Sequence, residues 1–121
     1  MFIAMNRFCV ARGREAAFED VWSSRDTYLD TVPGFVGFRL LKGPQAQDHT
    51  LYVSHSVWAS HDAFEAWTRS DSFRAAHERA GDHKSLYLGH PQFEGFEVCQ
   101  IMRRGKSRVA EAGVAAKALA S

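Results

Sequence analysis

The chain has 121 residues, a hydrophobic content of 45% and a formal net charge of +1. These values fit one domain with a modest core. No segment approaches the roughly 20 apolar residues of a membrane-spanning helix, which argues against a membrane protein. The N-terminus lacks a basic region followed by an apolar run, so we expect no signal peptide and a cytoplasmic location.

Charge is unevenly distributed along the sequence. From Arg103 onward there are five basic side chains and one acidic side chain, which leaves residues 1–102 mildly acidic. A mildly acidic body argues against nucleic-acid binding. We therefore expect one domain over residues 1–102 and a basic, alanine-rich, mobile tail over residues 103–121.

The two cysteines, Cys9 and Cys99, are isolated in the sequence, without a C-x-x-C or C-x-x-C-H motif. This spacing argues against covalent haem attachment. Two interpretations remain open: buried thiols in a reducing compartment, or a disulfide between neighbouring strands.

The first predicted element is a strand over residues 2–10, where apolar side chains alternate between two faces. One face carries Phe2, Ala4, Phe8 and Val10. Asn6 lies in the same row, and a buried carboxamide needs hydrogen-bond partners. Either it bonds a neighbouring backbone group, or it is a donor directed at a ligand.

A helix is predicted to follow Arg12-Gly13 and to run to about Asp30. Its apolar stripe consists of Phe18, Val21, Trp22 and Leu29. Arg25 falls on the same face. The guanidinium either extends to the edge of the core or meets an anion such as a ligand carboxylate.

A turn is predicted at residues 31–34, where Pro33 ends the helix. Two further strands are predicted at Phe35–Lys42 and Thr50–Trp58. A polar loop joins them. His55 in the second of these strands is interpreted as a structural residue, because no second candidate ligand accompanies it at metal-site spacing.

The next segment is predicted to form two short helices. The first starts at Ser60 and carries Trp67, and a break at Ser70-Asp71 precedes the second, where His77 lies on the apolar face. The break allows the indole of Trp67 and the imidazole of His77 to converge on one cavity. His77 is then either a packed residue with one satisfied hydrogen bond or an axial ligand of a metal cofactor.

Residues 82–90 are interpreted as a lid over a cofactor or as a plain connector, and a fourth strand is predicted at Gln92–Met102.

The order strand, helix, strand, strand, broken helix, strand is typical of the ferredoxin-like α+β fold, with an antiparallel sheet and helices on one face. The other face would expose apolar side chains. This predicts a second sheet packed against it, hence a homodimer.

Several motifs together resemble one family. They are Asn6, the segment Phe18-Glu-Asp-Val-Trp-Ser-Ser-Arg25, the segment Val32-Pro-Gly-Phe-Val-Gly-Phe38, Trp67, and Ala-Ala-His77 ten residues later. This combination resembles the IsdG-type haem-degrading monooxygenases, within the antibiotic-biosynthesis-monooxygenase-like superfamily of dimeric α+β barrels.

The resemblance implies a role for each of five residues. His77 corresponds to the proximal iron ligand, and Asn6 to the carboxamide that hydrogen-bonds dioxygen on the opposite face of the haem. Trp67 corresponds to the bulky residue that buckles the porphyrin. Trp22 falls where the family has an aromatic wall, and Arg25 where a basic residue lines the pocket.

The implied reaction is oxidative opening of haem with dioxygen and electrons from an external donor, either a reductase or a small reductant. Haem would be substrate and cofactor at once, with one per subunit of a homodimer. Iron and a linear tetrapyrrole would be released, serving iron acquisition. The competing hypotheses are a cofactor-independent oxygenase of the same superfamily that acts on a quinol with His77 as base, and a non-catalytic haem-binding protein.

Overall fold

The computed structural model describes residues 1–24, 29–77 and 85–105. The elements in chain order are β1 (Phe2–Ala11), α1 (Glu15–Ser24), a short 3₁₀ turn (Leu29–Thr31), β2 (Phe35–Gln45), β3 (His49–Trp58), α2 (His61–Thr68), α3 (Asp71–His77) and β4 (Tyr87–Glu97). The four strands form one antiparallel sheet in the order β2-β3-β1-β4. The predicted ferredoxin-like α+β fold is confirmed. Within the described ranges, no helix has the length and apolar character needed to cross a membrane.

The core lies between the helices and one face of the sheet, and it is split in two. The two clusters of buried side chains are Phe8, Val10, Phe18, Tyr52 and Leu86, and Phe2, Ala4, Leu29 and Trp58. On β1, Asn6 stands between Ala4 of one cluster and Phe8 of the other. The polar residue in the apolar row of β1 therefore marks the boundary where the core divides.

Serine side chains begin both short helices. The Ser60 hydroxyl accepts a hydrogen bond from the backbone N–H of Ala63 at 3.0 Å, and the Ser70 hydroxyl accepts one from Phe73 at 3.1 Å. Each serine satisfies a helix N–H that would otherwise lack a partner. The predicted break at Ser70-Asp71 is confirmed.

The fourth strand differs from its predicted position. It spans Tyr87–Glu97 rather than Gln92–Met102, because Glu97 already pairs with Phe2 at the start of β1. At the other end, Gly89 adopts a φ of +68° close to a register shift in the ladder. A proline is tolerated at such an irregular edge strand, so Pro91 does not end it. Residues 87–90 are thus strand, not lid or connector.

Other boundaries differ where the sequence is polar. β2 continues to Gln45 through a register shift after Lys42, so half of the predicted loop is strand. α1 ends at Ser24 within the described residues, and the predicted continuation to Asp30 includes residues 25–28, which lie outside them. The predicted tail from residue 106 onward also lies outside the described ranges.

The cysteines are both free thiols. Cys9 is half-buried on β1, whereas Cys99 is exposed after the end of β4. The prediction of two buried thiols is therefore wrong for Cys99, and the alternative of a disulfide is not observed.

The face of the sheet opposite the helices is called the open face here. Strand pairing places Ile3, Met5, Leu41, Leu51, Val53, Val57, Leu88 and Phe96 on it. Three of these large apolar side chains are strongly exposed: Leu41 (39%), Leu88 (45%) and Phe96 (47%). The open face is thus an uncovered apolar surface within the described part of the chain.

Candidate active site

A cavity of about 510 Å³, called the main cavity, lies between the helices and the sheet. Its volume falls within the range of small-molecule sites, about 300 to 1,000 Å³. The lining is largely apolar and aromatic; its residues with polar side chains are Asn6, Thr68, Trp22, His77 and Tyr87. Such a cavity suits a large, flat, apolar ligand.

A second space of about 50 Å³, called the inner cavity, adjoins the main cavity. The two share four lining residues: Asn6, Trp22, Phe64 and His77. The inner cavity extends past these residues to Ser54, Ser56 and Trp67. Asn6 and His77 therefore border both spaces, whereas Trp67 borders only the inner one.

Asn6 is placed by β1 at the boundary between the two cavities. Its neighbours across the sheet are Ser54 on β3 and Phe93 on β4. Within the described residues, its carboxamide has no hydrogen bond to another residue. The predicted alternative of a bond to a neighbouring backbone group is therefore not observed among the described residues, and a donor directed at a ligand stays a prediction.

His77 is the last residue of α3. Its Nδ1 lies 2.9 Å from the carbonyl oxygen of Phe73, and its ring stacks on the Phe73 ring with centroids 4.1 Å apart. A carbonyl oxygen only accepts, so Nδ1 carries the proton of the neutral imidazole and the lone pair is on Nε2. The side chain is exposed although it borders both cavities, so the site opens to solvent at this point.

Trp67 on α2 converges with His77, as predicted from the helix break. Their ring centroids are 5.9 Å apart. Behind Trp67 lies Trp58 at 5.2 Å, and the edge of Phe73 meets it at 4.8 Å. The indole Nε1 is buried and has no hydrogen-bond partner in the described part of the chain.

Two stacked aromatic pairs flank Asn6. Trp22 stacks on Phe38 at 5.5 Å with the ring planes 17° apart, and Phe64 stacks on Phe93 at 5.7 Å with the planes 12° apart. Trp22 borders both cavities, in agreement with its predicted place in an aromatic wall. The aromatic pairs give the site flat apolar surfaces on two sides.

Several residues of the site were not predicted from the sequence. They are Phe38, Ser54, Phe73 and Phe93. The sequence contained one indication of Ser54: it is a small polar residue on the same face of β3 as Tyr52 and Trp58. Arg25, the remaining predicted site residue, lies outside the described residues.

The donor set fits haem better than a bare metal ion. Haem iron needs only axial ligands from the protein, because the porphyrin supplies four nitrogens. Among the described residues, the group of metal-ligating side chains close enough to share an ion is His61, Asp62 and Glu65, on the surface of α2. In the cavity, a single imidazole in apolar surroundings matches a haem ligand and not a zinc site.

Comparison with known sequences places the chain in a family. The pattern of the antibiotic biosynthesis monooxygenase family matches residues 1–79. A Listeria welshimeri protein named heme-degrading monooxygenase is 42% identical over 71 residues, which cover 58% of this chain and 59% of that protein. A Bacillus thuringiensis protein of the same name is 32% identical over 53 residues, covering 44% and 50%. The matches thus span about half of the length of these curated relatives.

Solved structures share the fold. A variant of MhuD with two manganese protoporphyrin IX molecules per active site has a TM-score of 0.63 at 26% identity, covering 88% of this chain and 100% of that chain. SnoaB from Streptomyces nogalater, a cofactor-independent oxygenase, has a TM-score of 0.58 at 25% identity, covering 87% and 97%. With the match to residues 1–79, these likenesses show that the chain belongs to the antibiotic biosynthesis monooxygenase family.

Proposed function

We propose that this chain is a haem-degrading monooxygenase that binds haem in the main cavity. The observation that carries the proposal is the pairing of His77, in the tautomer with its lone pair on Nε2, with the Asn6 carboxamide across an apolar, aromatic-lined space. The names of the Listeria and Bacillus relatives support it, as does the porphyrin-bound structure of the MhuD variant.

His77 would hold the iron of the haem through Nε2. The hydrogen bond from Nδ1 to the Phe73 carbonyl fixes the orientation of the ring and raises the basicity of Nε2. Because Phe73 and His77 are four residues apart on α3, the ligand and its orienting group belong to the same helical turn. The ligand geometry would therefore form as soon as α3 folds.

Asn6 would act on the opposite side. When bound, haem supplies the iron that activates dioxygen and is itself the ring that is opened, with electrons from a reductase or a small reductant. The Asn6 amide would donate a hydrogen bond where negative charge develops on dioxygen, worth about 1.5 to 3 kcal/mol for a charged acceptor. A carboxamide does not ionise near neutral pH, so the proton comes from water.

Trp67 would shape the substrate. The indole is backed by Trp58 at 5.2 Å and by Phe73 at 4.8 Å, so it has little room to move away from a ligand edge that extends past His77. Contact with such a constrained group would favour a bent conformation of a flat macrocycle. Trp22 and its stacking partner Phe38 would form the wall beside it.

The proposed function also implies two partners, a second copy of the chain and an electron donor. The open face, with Leu41, Leu88 and Phe96 strongly exposed, would pack against the open face of a second copy to form the barrel of a homodimer with one haem per subunit. Electrons would come from a donor outside the chain. Arg25, which the family resemblance assigns to the pocket, would meet a haem propionate.

A second candidate is a cofactor-independent oxygenase acting on an aromatic quinol. The likeness to SnoaB, at 25% identity over 97% of that chain, favours it. The same flat cavity would accept a polycyclic quinol, and His77 would then be a general base rather than a ligand. A haem carrier without catalysis would have the same cavity and ligand as the first proposal.

Titration with hemin separates these candidates. The haem monooxygenase and the carrier both predict a one-to-one Soret band that is lost in His77→Ala. Only the monooxygenase predicts loss of the band under air with ascorbate or a reductase, with release of iron. A protein that gives no Soret band but consumes a quinol under air would support the second candidate instead.

A further inference from the structure

Ser54 is a buried residue beside the candidate site. It lies directly opposite Asn6 in the pairing of β3 with β1, and its residue is 7% exposed. It borders the inner cavity, and within the described residues its hydroxyl has no hydrogen bond. The oxygen is not one of the fully enclosed unpartnered atoms, so it faces accessible space in the cavity, where an occupant can bind it.

Ser56, two residues further on the same face, is different. Its hydroxyl donates to the Ala4 carbonyl at 3.2 Å and accepts from Trp58 Nε1 at 2.9 Å. These two bonds explain a serine within the core. The hydroxyl of Ser54 has no comparable structural role among the described residues, which points to a role toward the cavity.

The Asn6 carboxamide and the Ser54 hydroxyl border the same inner cavity without a direct hydrogen bond between them. The cavity volume of about 50 Å³ exceeds the roughly 10–15 Å³ that a site needs to hold one water, so a water fits in it. The Ser54 hydroxyl and the Asn6 carboxamide are polar partners of the kind that a stable internal water requires.

We infer that the inner cavity holds a water that bridges the Ser54 hydroxyl to the Asn6 carboxamide oxygen, which makes Ser54 a positioning residue for Asn6. The water donates to Oδ1 of Asn6, and the hydroxyl of Ser54 holds the water. With its oxygen engaged in the inner cavity, the amide turns its NH₂ group toward the main cavity. Without the water the amide can flip and present its oxygen, which cannot donate to a reduced oxygen species. This inference rests on the proposed function.

The test uses the ferrous haem complex of the protein with carbon monoxide as probe. The C–O stretching frequency responds to a hydrogen-bond donor beside the bound gas, so it reports the orientation of Asn6. We expect Ser54→Ala to move the frequency most of the way to that of Asn6→Ala, and to slow turnover about fivefold, the equivalent of one ordinary hydrogen bond. Ser54→Thr keeps the hydroxyl and should restore the wild-type frequency.

Two further variants control for packing. Ser54→Cys has nearly the same size but is a weak hydrogen-bonding group, so it should follow Ser54→Ala without opening extra space. Ser85→Ala removes an exposed hydroxyl just before β4 and should leave the C–O stretching frequency unchanged. An unchanged frequency in both Ser54→Ala and Ser54→Cys, with a clear shift in Asn6→Ala, would overturn the role of Ser54 alone. Absence of a Soret band in the wild-type protein would instead overturn the proposed function, and the role of Ser54 with it.

Discussion

The imidazole of His77 lies against the ring of Phe73, with centroids 4.1 Å apart, and donates its Nδ1 proton to the Phe73 carbonyl oxygen at 2.9 Å. Stacking fixes the plane of the imidazole, and the hydrogen bond fixes its tautomer. One short helix, started by the Ser70 hydroxyl, therefore sets both the plane and the tautomer of this imidazole. The first prediction follows from this relationship.

His77→Ala should weaken haem binding by about 100-fold or more, because loss of a ligand costs at least as much as loss of its orienting partner. The side chain is exposed, so the stability of the fold should change by about 1 kcal/mol or less. Hemin titration and thermal unfolding measure the two effects. His90→Ala, an exposed histidine on β4 outside both cavities, is the matched control and should bind haem normally. Tight binding that persists in His77→Ala contradicts the ligand assignment.

Asn6→Ala should keep haem binding and lose turnover. The amide contributes a hydrogen bond only when charge develops on oxygen, so its loss should cost about 1.5 to 3 kcal/mol, or roughly 10- to 150-fold in rate. Single-turnover decay of the Soret band under air measures this step. Turnover at the wild-type rate would remove Asn6 from the mechanism.

Trp67→Phe should leave a flatter porphyrin. Phenylalanine would lose the contact that is proposed to bend the macrocycle. This loss should raise the activation free energy by about 1 kcal/mol, which slows the reaction roughly fivefold. The same change removes the buried Nε1, which has no hydrogen-bond partner among the described residues. Resonance Raman spectra of the haem complex report the flattening. An unaltered out-of-plane distortion in this variant argues that another residue bends the ring.

The open face predicts association through a second sheet. Leu41→Glu puts a charge on this face, where Leu41 is 39% exposed, and should convert a dimer to monomers. Met102→Glu makes the same chemical change at a 71% exposed residue after the end of β4 and should not. Sedimentation velocity distinguishes the two species. A wild-type protein that sediments as a monomer would exclude this interface.

Stability at acid pH depends on Glu15. The hydrogen bond from Thr50 Oγ1 at 2.8 Å, together with backbone N–H donors, holds the pKa of Glu15 below its ordinary value of 4.5. A lowered pKa in the folded state stabilises the protein above pH 4.5, and this stabilisation is lost as the pH falls through the lowered pKa. Thr50→Val removes the largest cause of the shift.

The unfolding free energies of wild type and Thr50→Val measure this effect. Their difference should be constant near neutral pH and should shrink below about pH 4.5, because protonated Glu15 no longer gains from the bond. Thermal unfolding at a series of pH values gives both curves. A difference that stays the same from neutral to acid pH would show that the Thr50 hydrogen bond does not control this titration.

Local sequence patterns account for much of the fold. The alternation around Asn6 predicted β1, and the Ser70-Asp71 pair predicted the break that brings Trp67 to within 5.9 Å of His77. The position of β4 could not be predicted in this way, because its end is set by pairing with Phe2 and not by its own composition. Pro91, directly before the predicted start at Gln92, lies inside the strand, since proline is tolerated in an irregular edge strand.

The candidate site was predictable only where a side chain is unusual for its surroundings. Asn6 in an apolar row and His77 on an apolar helical face were visible in the sequence, and the family resemblance gave them roles. Phe73 contributes its ring and its backbone carbonyl, and no residue type reveals the role of a carbonyl. Ser54 and Phe93 reach Asn6 through strand register, which depends on the partners of β1.

The central claim is that haem bound by His77 is opened by dioxygen. The most direct measurement is aerobic incubation of the haem-loaded protein with ascorbate, followed by iron assay and mass spectrometry of the pigment. We predict loss of the Soret band with release of one iron per haem and a linear tetrapyrrole, and no such product from His77→Ala treated identically. Recovery of intact haem from the wild-type protein, with its iron still bound, would contradict the account.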